Sequence, residues 1–420
     1  MKTKILPFAA LLFLCSGAIA QNPAEPAERK LKVVVTENVK AEEQRDSGPS
    51  EPTRPRTVAT AVPSATPVVP PRAAYPNTGR RRPSFSEIRA KIADAKRRLQ
   101  TRPITTASRG NAYEGVEAVR VAFFDWDRND IDFVMLAKDA FLSTASDKAV
   151  VSEGGRNMIV RTIRGNGVNT PVIIFDERNE QHLPLLVQYP RVDKGVYQET
   201  AYYISTHPGI VTPEVVAAGQ IYVKNVIDTA RERLGRLGFR VDPKVADIAE
   251  RLAVVEHVDH FRFRNEPHPD IYNDVFTLFA LNEGQTYRYA VSSAGAGGMV
   301  QMIPSTYRMV RAQFPNVPLN PDFVEGMRDH LNAAQAMLLY MQWTWDDLKS
   351  RPSVSDALLR GLATQEQIMA AGYNSNPARL PGYITRGGPG WANLIPRETK
   401  IYLQIFASVE QHVPMTPRRR

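Results

Sequence analysis

The chain has 420 residues, 43% of them hydrophobic, a formal net charge of +9 and a single cysteine. The basic excess is local: residues 21–110 hold 18 Lys+Arg against 9 Asp+Glu, and the chain beyond them is slightly acidic. That distribution argues against a basic nucleic-acid-binding domain and for a cationic leader able to lie on anionic envelope polymers.

Met1–Lys4 is basic, Ile5–Leu14 is apolar and Ala18-Ile-Ala20 is a small-x-small site, the pattern of a cleavable secretory signal over residues 1–20. The apolar run is too short to span a bilayer. Leu14 stands before Cys15, where a lipid-anchor signal needs a small residue. Export to the periplasm or cell envelope is expected, and a chain cut after Ala20 could form no disulfide. Residues 21–83 are rich in Pro, Ala, Glu, Thr and Arg, and read as a disordered, semi-rigid spacer. Ser84 followed by Glu87 predicts a capping box opening a helix over 84–101. Phe85, Ile88, Ile92, Ala95 and Leu99 give this helix one apolar stripe, suited to docking on its own protein.

Residues 111–211 predict short strands at 119–124, 158–163, 171–175, 183–189 and 200–205, separated by Gly, Asn, Asp and Pro. A long helix over 212–237 ends at Gly238, so 111–240 reads as a β-rich accessory domain whose partner the residues do not name. From Asp242 the pattern turns helical, with helices expected near 243–262, 269–283, 304–314, 321–349, 354–371 and 396–412. Residues 413–420 form a basic tail ending Arg418-Arg-Arg420. His257 and His260 flank Asp259 at helical spacing, but no third ligand is apparent, so no metal is expected.

The chemistry concentrates in residues 283–306. Glu283 closes the apolar run Val275–Leu281, and the small-residue loop Ala294-Gly-Ala-Gly-Gly298 and Gln301 follow. An acid at the end of a buried helix, facing a loop that a bulky ligand can approach, is a plausible acid/base site.

Three blocks carry a resemblance. Glu283 is followed by Ala290, Ser292, Gly295-Ala296, Gly298, Met299, Gln301, Pro304 and Thr306; then come Gly372-Tyr373-Asn374, and then Pro396, Glu398-Thr399 and Tyr402. In this order they resemble the lysozyme-like lytic transglycosylases, the family built around a soluble-lytic-transglycosylase catalytic domain, over about residues 245–412. Departures are Gly284, Val300 and Asn376. The resemblance implies an α+β chain in which a helical lysozyme-like domain (241–412) follows the β-rich domain and the leader (21–110). It implies cleavage of the bond between N-acetylmuramic acid and N-acetylglucosamine in peptidoglycan, without a cofactor. Glu283 would be a single acid and then base, favoured by burial, and closure of a 1,6-anhydro ring would replace water. Ser292 would position the acetamido group, Gln301 and Asn374 would bind sugars, and Tyr373 would hold Glu283. Gly295, Gly298, Met299, Glu398 and Tyr402 would support the site. A lysozyme-like hydrolase and a non-catalytic glycan-binding or envelope-assembly module remain as alternatives.

Overall fold

The computed structural model describes residues 82–102, 104 and 117–419, together with the backbone of Val33–Val34. The expected signal and most of the spacer lie outside the described residues. Strand β1 (Val33–Val34) falls within the stretch read as spacer, and its backbone pairs antiparallel with β9 (Val291–Ser292).

Helix α1 (Phe85–Gln100) opens on the expected capping box between Ser84 and Glu87. The β-rich part comprises β2 (Ala118–Asp125), β3 (Asp130–Ala137), α2 (Lys138–Leu142), β4 (Lys148–Val151), β5 (Asn157–Thr162), β6 (Val172–Asp176), β7 (Gln181–Asp193) and β8 (Val196–Tyr203). These strands form one curled antiparallel sheet in the order β3-β2-β7-β6-β5-β4, with β8 on β7. Two of the seven, β3 and β4, are not anticipated from sequence. Asp130 and Asp132 break the apolar signal of β3, yet Asp132 is buried because Ser152 Oγ (2.6 Å) and the Gly154 amide (2.9 Å) donate to its carboxylate.

The sheet alternates as a two-sided strand layer must. Val119, Val121 and Phe123 face the helical part, in a core shared with Val223, Ile227 and Phe276. Ala122 and Phe124 face the other way and pack with Ile88, Ile92, Ala95 and Leu99 of α1. The stripe of α1 thus docks on the protein's own sheet, and one core runs without a break from sheet to helices.

The helices are α3 (Pro213–Arg236), α4 (Pro243–Val255), α5 (His260–Asn265), α6 (His268–Asn282), α7 (Pro304–Gln313), α8 (Phe323–Arg328), α9 (His330–Ser350), α10 (Pro352–Leu359), α11 (Gln365–Asn374), α12 (Leu380–Gly387) and α13 (Arg397–His412). Three of the expected long helices are split in two. At each split a polar residue caps the next helix: Asp259 accepts from the Arg262 amide, Asp329 from Leu331 and Asn332, and Thr364 forms a capping box with Gln367. The expected basic tail is anchored. The Arg418 side chain is 4% exposed and pairs with Asp228 (2.5 Å), Asp247 (2.9 Å) and Glu250 (2.7 Å).

Two contacts give stability predictions. Helices α3 and α6 meet at Gly219, where an added Cβ would lie 1.9 Å from the Phe276 carbonyl oxygen. Gly219→Ala should cost about 2 kcal/mol, overpacking outweighing the gain in helix propensity, as urea denaturation would show. In the sheet, Arg156 joins two hairpin turns. It reaches Asp125 (2.5 Å), Asp176 (2.9 Å) and Asp127 (3.1 Å). Burial alone would raise the Asp125 and Asp176 carboxyls, but hydrogen bonds and the arginines Arg156 and Arg178 hold both below the ordinary range. Arg156→Ala leaves the buried Asp125 without its arginine and Asp176 with Arg178 alone, and should destabilise the fold by about 3 kcal/mol, again read by denaturation.

Candidate active site

Among the described residues two helices end in a glutamate after an apolar run, and the structure treats them differently. Helix α6 ends at Asn282, whose side chain is pinned to the Ile204 backbone by reciprocal hydrogen bonds of 2.9 Å. The chain then turns at Glu283 with φ of +33°. The Glu283 side chain is 52% exposed and pairs with Arg89 of α1 at 3.1 Å. It is therefore not the buried acid expected from the apolar run: the turn that ends α6 carries it to the surface beside α1.

Helix α4 ends at Glu256, which is 4% exposed and follows the buried run Leu252–Val255. Tyr402, from α13, donates its hydroxyl hydrogen bond to Glu256 Oε1 at 2.8 Å. Glu256 opens on a cavity of about 230 Å³, and Ser292 and Gln301 line the same cavity. Glu283 does not line it. Of the residues expected together, Ser292 and Gln301 share the cavity, while the carboxylate beside them is Glu256.

The walls come from both parts of the molecule. The helical part supplies Glu256, His257, Asp259, Arg262, Asp274 and Tyr287, and the sheet supplies the loop Arg164–Asn169 with Tyr189, Arg191 and Tyr203. Arg262 lies 2.8 Å from Asp274 and 2.7 Å from Glu266. Burial opposes its charge, but these carboxylates hold its guanidinium above the ordinary range.

His257 is partly buried and bonds the Met299 carbonyl through Nε2 at 2.9 Å, its ring stacked on Tyr287 at 3.3 Å between centroids. Burial pushes its imidazole down to about 3, so the ring is neutral and Nε2–H is the donor. His257 thereby ties the residue after Glu256 to the loop carrying Gln301. Gln301 and Tyr287 both have positive φ, +46° and +58°, uncommon for side chains of this size.

The remaining expected residues surround this centre. Tyr373 donates to the Val300 carbonyl at 2.7 Å, beside Gln301, and does not hold Glu283. Asn374 accepts from Thr399 at 2.9 Å, which joins α11 to the first turn of α13. Glu398 sits partly exposed in that turn, and Met299 is fully buried. Ser292 Oγ accepts from the Ala296 amide at 3.0 Å, shaping the glycine loop. Gly295 has φ of +74°. Gly298 has φ of +67° and would place a Cβ 2.1 Å from the Met327 carbonyl oxygen. Its lack of a side chain serves packing of the loop on α8, where the sequence suggested approach of a glycan.

A second polar cluster lies on the sheet. Asp125, Asp127 and His182, and likewise Asp127, Asp176 and Glu180, bring ligand atoms close enough to share a cation. The guanidiniums of Arg156 and Arg178 already lie among these carboxylates, so the cluster reads as an ion-paired pair of turns.

No known protein family, curated protein or solved structure matches the chain. The chemistry of the site is read from its own residues.

Sequence reasoning missed Glu256. The signal was available: Val254-Val255-Glu256-His257 is also an acid after an apolar run. A fixed spacing back from Ser292 leads to Glu283. In the fold, α5 and α6 intervene between Glu256 and the glycine loop, and the chain returns to bring Ser292 and Gln301 to it.

Proposed function

We propose that this protein is an exported peptidoglycan lytic transglycosylase whose single acid/base is Glu256. The observation that carries this reading is the buried Glu256 carboxyl, held by Tyr402 and opening on a cavity lined by Ser292 and Gln301. In this reading the Glu256 carboxyl donates a proton to the glycosidic oxygen. The bond from that oxygen to the muramoyl carbon 1 then breaks, and the sugar's acetamido carbonyl stabilises the positive charge at carbon 1. The ionised Glu256 takes the proton of the muramoyl 6-hydroxyl as its oxygen bonds to carbon 1. The anhydro ring closes and the carboxyl is protonated again.

A cavity of about 230 Å³ is smaller than the roughly 300–1,000 Å³ typical of enclosed ligand sites. It would take one sugar with its substituents, the strand continuing outside. The residues of the cavity also bear on the hydrolytic alternative, which needs a second carboxylate as base or nucleophile. Asp259 and Asp274 are the candidates, but Asp259 accepts from the Arg262 amide at 2.8 Å and Asp274 pairs with the Arg262 guanidinium. The one-carboxylate route fits this arrangement better. Action on the wall requires the export expected from residues 1–20. Among the described residues no helix is long and apolar enough to cross a membrane.

The chemistry of the released ends tests the reaction type. Glycan ends that resist borohydride reduction are expected from purified peptidoglycan. Reducible ends would make the enzyme a hydrolase, and bound glycan with no release would make it a binding module.

A further inference from the structure

Arg164 stands on the loop after β5 and lines the cavity from the sheet side. Among the described residues its guanidinium makes no hydrogen bond and no ion pair, unlike Arg156, Arg262 and Arg418. Burial first, and then the nearby Arg262, push it below the ordinary range for a guanidinium, although Asp274, Glu266 and Asp259 pull the other way without pairing with it. Arg191, on β7, lines the same wall and rests over the Tyr289 ring at 4.5 Å, also without an ion pair among the described residues. Across the cavity, Asp274 is paired with Arg262 and Asp259 caps α5. The acids of the helical wall are thus largely engaged, while the cations of the sheet wall are not.

We propose that Arg164, assisted by Arg191, binds a carboxylate carried by the lactyl substituent of the muramoyl sugar, so that the sheet contributes a specificity subsite to the helical active site. This rests on the glycan reading above and extends it. A planar guanidinium with free donors matches a carboxylate bidentately, and a carboxylate arriving beside Arg164 would offset the cost of its burial. Two sources carry the group: the stem peptide, or the free lactyl acid of a peptide-free muramoyl residue. A glycan made only of N-acetylglucosamine carries neither.

The test is calorimetric titration of the whole protein at pH 7 with four probes: N-acetylmuramic acid, a muramoyl dipeptide with a free carboxylate, the same dipeptide as its carboxamide, and neutral chitotriose. Wild type should bind the dipeptide acid at least about 10-fold more tightly than the amide, the scale of one charge-assisted hydrogen bond. Arg164→Gln should abolish that preference with chitotriose affinity and melting temperature unchanged, and Arg164→Lys should keep part of it. A preference for the dipeptide acid over N-acetylmuramic acid assigns the stem peptide; the reverse assigns the lactyl group. Chitotriose binding with equal affinity for dipeptide acid and amide and no tighter binding of N-acetylmuramic acid, or a preference for either acid that survives in Arg164→Gln, overturns the subsite and leaves the glycan reading standing. No binding of any probe overturns both.

Discussion

On the proposed reading, replacing Glu256 with Gln should lower the rate of glycan cleavage by about 10³-fold, the range expected when a general acid/base is lost. The amide keeps the shape of the side chain and can still accept from Tyr402, so the fold and glycan affinity should be retained. The loss should appear in kcat, with KM nearly unchanged, because proton transfer belongs to the transition state and not to ground-state binding. Glu283→Gln breaks only a half-exposed pair with Arg89. Exposed pairs of this kind contribute about 0–1 kcal/mol, so its rate should stay within about 2-fold of wild type. Tyr402→Phe removes the hydroxyl that orients Glu256 and should fall between the two. Steady-state kinetics on purified glycan strands measures all three.

Acid should weaken the fold well before the carboxylates titrate. His207 is fully buried and His257 largely so, and burial pushes both down to about 3. Their unfolded value is near 6.5. A histidine with a depressed folded value contributes stability that is present above the unfolded value and lost as pH falls below it, because the unfolded chain binds the proton first. Between pH 7 and pH 5 each should lose about 2 kcal/mol, so the pair loses about 4 kcal/mol. His182 and His330 are also pushed down by burial and act with the same sign. The Asp125 and Asp176 carboxyls, held low, lose their contribution only below about pH 4. Urea denaturation at pH 7 and pH 5 gives the difference, and His257→Gln should remove about 2 kcal/mol of it. An unchanged unfolding free energy across this interval would contradict the buried, neutral state of these rings.

Much of the fold was legible because hydrophobic period and capping residues are local signals. The Ser84–Glu87 capping box, the helix starts at Pro213, Pro243 and Pro304, and five of the seven strands of the curled sheet follow from them. What escaped depends on tertiary partners. Asp132 reads as a surface residue until Ser152 and Gly154 meet it, and Arg418 reads as part of a free tail until Asp228, Asp247 and Glu250 surround it. The site was half legible for the same reason. Ser292 and Gln301 lie in one short stretch and were singled out together. Their acid comes from α4, across α5 and α6, and no local count could show which of two helix-ending glutamates returns to them. Arg164 and Arg191 were invisible, since only closure of the sheet against the helices brings them to the cavity.

The most direct measurement is mass spectrometry of the muropeptides released from purified peptidoglycan by wild type, Glu256→Gln and Glu283→Gln proteins of matched melting temperature. Anhydromuropeptides from wild type and Glu283→Gln, with none from Glu256→Gln, are expected. Release by Glu256→Gln and none by Glu283→Gln would return the acid to the surface glutamate and contradict the assignment of the cavity as the active site.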